Sequence, residues 1–249
     1  HWIADSEDVA YSMQANYSRG AEINIDQSLA ARRAFYALCT HIDHQLRVII
    51  GTLREEGLLN GTIICFTSDH GDMLGNHNMW AKRLFYEYSA NIPMILVDGT
   101  NGKQIGYDCI DDRLVGWQDV MPTLLDMANI DIPETVEGFS MAGNQKRDWF
   151  YAEVGEDDHA TRMIHDGRYK LIYYPVGNCS QLFDLRSDPN ELDNLVANPN
   201  YANILKKLTN LLVNQLYGGD ETWVQGGQLV GLPNKEFVSG PNKGLSSQR

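Results

Sequence analysis

The sequence has 249 residues, 43% of them hydrophobic, and a formal net charge of −13. That length holds one large domain, or a medium one with a small companion. No run nears the ~18 uninterrupted apolar residues of a membrane-spanning helix. The densest basic clusters are Arg32-Arg33 and Lys206-Lys207, so an acidic chain without a basic stripe is a poor partner for nucleic acid.

The first residues, His1 to Ser6, lack the basic start and apolar stretch of a signal peptide, and no initiator Met is present. The chain is therefore expected to be a piece of a longer protein, and its compartment is left open. Cys39, Cys65, Cys109 and Cys179 are widely spaced with no CxxC pair, which argues against zinc held by paired cysteines. Cys39 and Cys65 sit in apolar segments and are expected to be small buried hydrophobes. Disulfide pairing and oligomeric state, self-association included, stay open.

In chain order, the first element is a long helix over about Gln27 to Glu56. Phe35, Leu38, Ile42, Leu46, Ile49 and Leu53 recur at steps of three or four, giving one apolar stripe. Gly57 is a natural stop. Thr62 to Thr67 is a short apolar run without polar alternation, the pattern of a strand buried on both faces in a parallel sheet. Ile92 to Val97 reads the same way, with Pro93 at its entry. Trp117 to Ala128 is a second amphipathic helix. Helix, buried strand, loop, buried strand, helix is an α/β pattern.

The character changes after about residue 145. Arg162 to Tyr174 reads as two strands joined by Asp166-Gly167, a strong hairpin signal in which both turn residues would take positive φ. Gln181 to Leu185 is a third strand. Asn198-Pro199 offers an N-cap and a first-turn proline for a helix whose buried face is Ile204, Leu208, Leu211 and Leu212. From Gly218 the chain is rich in Gly, Asn, Gln and Pro, and an extended tail is expected over 218–249.

The chemistry lies in Thr67-Ser68-Asp69-His70-Gly71-Asp72, followed by Leu74-Gly75-Asn76-His77 and Trp80-Ala81-Lys82-Arg83. It begins where a buried strand ends, the place where open α/β sheets bind ligands. Asp69 offers a hard carboxylate and His70 an imidazole, so the pair can reach one divalent ion. Gly71 permits a tight bend behind them. Oxygen-rich ligation favours Ca²⁺ or Mg²⁺, and the imidazole leaves Mn²⁺ or Zn²⁺ open. Lys82 is a compact cation suited to sulfate or phosphate oxygens. His77 is a candidate donor to substrate or leaving group. Taken singly, Asp-His also describes a turn cap, Lys82 a surface lysine and His77 a loop histidine. Glu153 and the acidic run Glu156 to Asp158 before His159 read as a solvated loop, and His41 and His44 as helix residues.

Together these segments, continuing through Phe85-Tyr86-Glu87 to Asn91-Ile92-Pro93-Met94-Ile95, resemble the sulfatase family of the alkaline-phosphatase-like superfamily. The resemblance extends to Asp119 to Leu125, to Gly138-Phe139-Ser140, and to Asp166 to Lys170 with Leu182 to Leu185, Asp188-Pro189 and Glu191. It covers about residues 20 to 215. It implies part of an alkaline-phosphatase-like α/β sandwich with a mostly parallel central sheet, and a small C-terminal antiparallel sheet with a helix. The implied domains are the C-terminal half of the catalytic domain over 1–145, the small subdomain over 146–217 and the tail beyond. By resemblance, Asp69 and His70 match metal ligands, with calcium first among candidates and magnesium or manganese next. Lys82 matches the lysine that binds the sulfate and assists the departing oxygen.

The family's nucleophile is a formylglycine made within Cys/Ser-x-Pro-x-Arg, and no proline of this sequence is followed by x-Arg. The resemblance therefore implies that formylglycine and the remaining metal ligands lie in an N-terminal part of the same protein, and that this chain alone is inactive. The expected substrate is a small-molecule or carbohydrate sulfate ester. A phosphonate monoester or phosphodiester hydrolase on the same scaffold, and a non-catalytic sulfatase-like subunit, are the alternatives.

Overall fold

The structure, a computed structural model, describes residues 24–100 and 105–236. The expectations for the chain start and for the last part of the tail, 237–249, lie outside the described residues. Packing divides the chain into two compact units. One comprises Leu29–Asp69 and Ile92–Asp148; the other joins His70–Asn91 to the C-terminal residues from Trp149 onward.

Helix α1 spans Ile25–Glu55. A reciprocal capping box opens it: the Gln27 N–H donates to Asn24 Oδ1 at 2.9 Å, and the Asn24 N–H donates to Gln27 Oε1 at 3.0 Å. Gly57 closes it at φ 71°, where the Leu58 N–H reaches back to the Leu53 carbonyl at 2.8 Å. No residue of α1 is buried. Its apolar stripe is open, with Leu38 62%, Ile42 51% and Ile49 56% exposed. Cys39 is exposed as well, contrary to expectation, and all four cysteines are free thiols.

Strands β1 (Ile63–Thr67) and β4 (Met94–Asp98) pair with each other in antiparallel register, Ile63 opposite Asp98 and Thr67 opposite Met94. The expected parallel pairing is thus not found. Nor are the strands buried on both faces: β4 alternates, with Ile95 and Val97 exposed. An apolar run records how much burial a strand can accept; it does not encode the direction of its neighbour. In the same unit, a 3₁₀ turn at Trp117–Asp119 leads into α3 (Val120–Met127). The fully buried Asp119 carboxylate accepts the Gly116 and Phe139 N–H groups and a two-pronged contact from Arg147 at 2.5 and 2.7 Å. This ties the helix start to the segment around Gly138, where a Cβ would come within 1.9 Å of the Gln118 carbonyl oxygen.

The second unit is built on a meander of four antiparallel strands, β5 (Phe150–Val154), β6 (Thr161–His165), β7 (Tyr169–Tyr174) and β8 (Cys179–Asp184). The β6–β7 hairpin forms where Asp-Gly predicts it, with one difference. Gly167 takes positive φ and Asp166 does not. Instead, the Asp166 carboxylate caps the turn by accepting the Arg168 and Tyr169 N–H groups. Along β7 the side chains alternate with a period of two. Leu171 and Tyr173 join a core with Leu208 and Leu212 of α4 (Ala202–Val213), while Ile172 and Tyr174 join a core with Met73, Leu84, Phe85 and Tyr86. The sheet is therefore covered on one side by α4 and on the other by the segment that carries Lys82. Asn198 caps the approach to α4 by accepting the Asn200 N–H, and Pro199 occupies the first turn.

Residues 218–232, expected as an extended tail, are folded. Gly218–Trp223 is a 3₁₀ segment followed by a hairpin, β9 (Val224–Gln225) and β10 (Gln228–Leu229). Trp223, 3% exposed, anchors it in the α4-side core, where Arg162 lies over its ring. The single aromatic outweighs the polar composition around it.

The contrast between the closed C-terminal core and open α1 is measurable in the 249-residue chain. Leu208→Ala should cost about 2–5 kcal/mol, the range for a fully buried leucine. Ile42→Ala should stay within about 0.5 kcal/mol. Chemical denaturation followed by circular dichroism checks both; an Ile42→Ala loss as large as that of Leu208→Ala would contradict the open helix face.

Candidate active site

β1 ends at Thr67 and the chain turns through Ser68-Asp69-His70-Gly71. In the first unit, the Ser68 carbonyl accepts the Trp117 indole N–H at 3.1 Å, and Asp69 follows as an exposed residue. His70 opens the second unit. Behind it, the Gly71 N–H donates to the Ser89 carbonyl at 2.9 Å, and a Cβ on Gly71 would come within 2.2 Å of the Tyr88 carbonyl oxygen. Only glycine permits this approach.

The structure brings His70 and Lys82 together. Lys82 Nζ lies 2.7 Å from His70 Nε2, and His70 Nδ1 lies 2.6 Å from the Gly71 carbonyl oxygen. A carbonyl only accepts, so Nδ1 carries the hydrogen, and Nε2 offers its lone pair to the ammonium. That tautomer is the one a metal-binding histidine adopts when its other nitrogen is fixed by a backbone carbonyl.

Asp72 joins this pair, and sequence reasoning passed over it. Its half-buried carboxylate accepts the Ala81 N–H, with His70 and Lys82 as charged neighbours. Burial pushes its carboxyl above the usual range, against the pull of both neighbours. Its place in Gly71-Asp72-Met73, one residue before a strand, was the available signal. β2 (Met73–Leu74) pairs with β3 (Trp80–Ala81), setting Met73 opposite Ala81. Lys82 stands between two residues in the left-handed region, Ala81 at φ 71° and Arg83 at φ 75°. Such positions are rare for non-glycine residues and concentrate at functional sites.

His77 is placed differently. It is 5% exposed, sits at φ 53°, and its ring stacks on Tyr86 with centroids 4.3 Å apart. Neither ring nitrogen makes a well-formed hydrogen bond, and burial pushes its pKa down. The ring is packed against Tyr86.

Asp69 offers a carboxylate and His70 an imidazole whose Nε2 lone pair faces Lys82, donor types that suit a divalent ion. They are two donors where a hard cation takes about six to eight. Among the described residues, no group of three or more His, Cys, Asp or Glu side chains could hold a metal.

Comparisons with known proteins fall on the same segments. The family model described as sulfatase matches residues 1–130, and that described as N-sulphoglucosamine sulphohydrolase, C-terminal, matches residues 75–217. The chain belongs to the sulfatase family. An arylsulfatase of Clostridium perfringens is 34% identical over 226 residues, covering 86% of this chain and 47% of that protein. Among solved structures, a 2-O GAG sulfatase superposes with a TM-score of 0.72 at 26% identity, covering 79% of this chain and 45% of the other. The phosphonate monoester hydrolase of Agrobacterium radiobacter superposes with a TM-score of 0.68 at 24% identity, covering 85% and 47%, a likeness of fold. This sulfatase-family chain spans about half or less of the length of the curated relatives it matches.

The tautomer assignment is directly testable. ¹⁵N spectra of His70 should show Nδ1 protonated and Nε2 unprotonated. The reverse pattern would contradict the geometry.

Proposed function

We propose that this chain is the C-terminal portion of a sulfate-ester hydrolase whose nucleophile, a formylglycine, lies in another part of the same protein. The observation that carries the reading is the contact between Lys82 and His70 on the turn after β1, in a chain of the sulfatase family. Asp69 and His70 would hold one side of a divalent ion, calcium first, with His70 Nε2 exchanging the ammonium for the metal. The ion, when bound, supplies positive charge opposite the sulfuryl oxygens.

Lys82 then has two tasks. Its ammonium binds a sulfuryl oxygen, and it donates a hydrogen bond to the oxygen that departs as the S–O bond breaks. The sulfuryl oxygen is already anionic and negative charge grows on the departing oxygen in the transition state, so a cation already in place acts without reorganisation. The left-handed residues on either side of Lys82 and the backbone contact of Asp72 hold it there. The open apolar stripe of α1 also supports the reading, since a helix of 31 residues normally draws its stability from a covered face. The likeness to a 2-O GAG sulfatase and an arylsulfatase supports a sulfate ester on a sugar or aryl alcohol as the substrate class.

The test uses the full-length protein. Lys82→Ala should lower kcat on an aryl sulfate by about 10²–10³-fold, the usual loss for one transition-state donor. Asp69→Ala should lower metal affinity by about 10–100-fold or more, the loss seen even for outer hydrogen-bonding partners of metals. The wild-type kcat/KM should favour an aryl sulfate over the matching aryl phosphodiester. A preference for the phosphodiester would move the protein to the phosphonate and phosphodiester branch, and no turnover of either would leave a binding subunit.

A further inference from the structure

The buried charge cluster formed by Lys170, Glu87 and Glu191 plays no part in the chemistry described so far. Lys170 lies on β7 with its side chain 1% exposed. Its Nζ meets three oxygens: the Phe85 carbonyl at 2.7 Å, Glu87 Oε1 at 2.5 Å and Glu191 Oε1 at 2.7 Å. Glu191, whose side chain is wholly buried, also accepts the Glu87 N–H on Oε2 at 2.6 Å. Glu191 itself is held at φ 56°, a left-handed position for a non-glycine residue. A buried ion pair is weak evidence for stability, because desolvation offsets most of the attraction. What the cluster does is fix geometry.

The geometry it fixes belongs to the site. Phe85 and Glu87 lie three and five residues after Lys82 in one short segment. Glu87 begins α2 (Glu87–Ala90), and α2 supplies the Ser89 carbonyl that receives the Gly71 N–H directly behind His70. One cluster is therefore bonded to the segment of Lys82 and, through α2, to the turn of His70. Neighbouring contacts repeat the pattern. Tyr86 donates to Gln181 of β8 at 3.0 Å, and Tyr88 donates to Asn190 Oδ1 at 2.6 Å. The tethered side is the short segment, and the anchors sit on the packed sheet or the loop after it.

We infer that Lys170, Glu87 and Glu191 are positioning residues that set the distance between Lys82 and His70, so that the C-terminal sheet acts as a jig for the reacting cation. The inference rests on the sulfate-binding role given to Lys82 above. None of the three touches substrate in this account. Lys170 in particular matters as a point charge able to meet three oxygens from different directions, which a planar guanidinium does not reproduce.

The experiment is a double-mutant cycle in the full-length enzyme on an aryl sulfate. Lys170→Met combined with Glu191→Gln removes one charge of each sign together and leaves only the partly exposed Glu87 carboxylate, not a fully buried ion. It should lower kcat by about 10²-fold with KM little changed, since a misplacement of about 1 Å can cost that much. Asp184→Asn, which breaks the Arg168 pair at the start of β7, one register position from Lys170 but without a contact to the Lys82 segment, is the structural control. It should lower the melting temperature while leaving kcat in place. In a Lys82→Ala background, the Lys170→Met/Glu191→Gln pair should add little further loss, because both act through one group.

Wild-type kcat in the paired variant, or a full additive loss on top of Lys82→Ala, would overturn the inference. A Lys82→Ala enzyme with unchanged kcat would overturn the functional reading and this inference with it. If the paired variant does not fold, Lys170→Arg carries the test. It should fold and lose kcat, and wild-type kcat there would equally count against the jig.

Discussion

The C-terminal unit turns on one ammonium taken out of water. Lys170 Nζ exchanges its hydration for three protein oxygens, two from carboxylates and one from the backbone. An ion so deeply buried persists only when its partners are held in place. Here the partners come from two stretches of chain, Phe85 to Glu87 and the loop at Glu191. The consequences show in the neighbouring groups. Burial works against Glu87, but the Lys170 charge and hydrogen bond hold its carboxyl below the usual range. Burial pushes Glu191 above it. His165 is kept neutral by burial and by the same ammonium. With these contacts in place, Tyr86 packs against Phe183, His77 stacks on Tyr86, and the β2–β3 hairpin rests on the sheet.

The arrangement explains why the reactive segment is strained. Ala81, Arg83 and His77 all occupy the left-handed region, and each departs from what its side chain prefers. Strain of this kind survives only where the surroundings over-determine the backbone. A packed sheet on one side and a glycine contact at 2.9 Å behind His70 provide that. The outcome is a cation and an imidazole 2.7 Å apart on short, otherwise irregular chain.

Much of this was legible in the residues. The stripe from Phe35 to Leu53 gave α1, Asp166-Gly167 gave the hairpin, and Leu208 and Leu212 gave the buried face of α4. These signals are local, and local chemistry decided them. Strand direction was not legible, because Ile63 to Phe66 would be equally apolar beside a parallel or an antiparallel neighbour. The folded segment after Gly218 was hidden by its composition, since one buried Trp223 decides it. The surroundings of His77 were hidden for a related reason: sequence shows an ionisable ring near Lys82, and only packing shows that ring lying flat on Tyr86. Asp72 was missed because its partner is a backbone N–H, which no side-chain pattern announces.

The two units differ in how complete they are. The C-terminal sheet is covered on both faces, while α1 leaves its stripe open, and among the described residues no group of three or more His, Cys, Asp or Glu side chains could hold a metal. On the proposed function, a further part of the same protein supplies the cover for α1, the remaining metal donors and the nucleophile. The most direct measurement is the coding sequence upstream of His1. The account predicts an open reading frame continuous with this one that carries Cys/Ser-x-Pro-x-Arg. A continuous frame of sulfatase length without that motif would contradict it and leave a sulfatase-like protein that binds but does not hydrolyse.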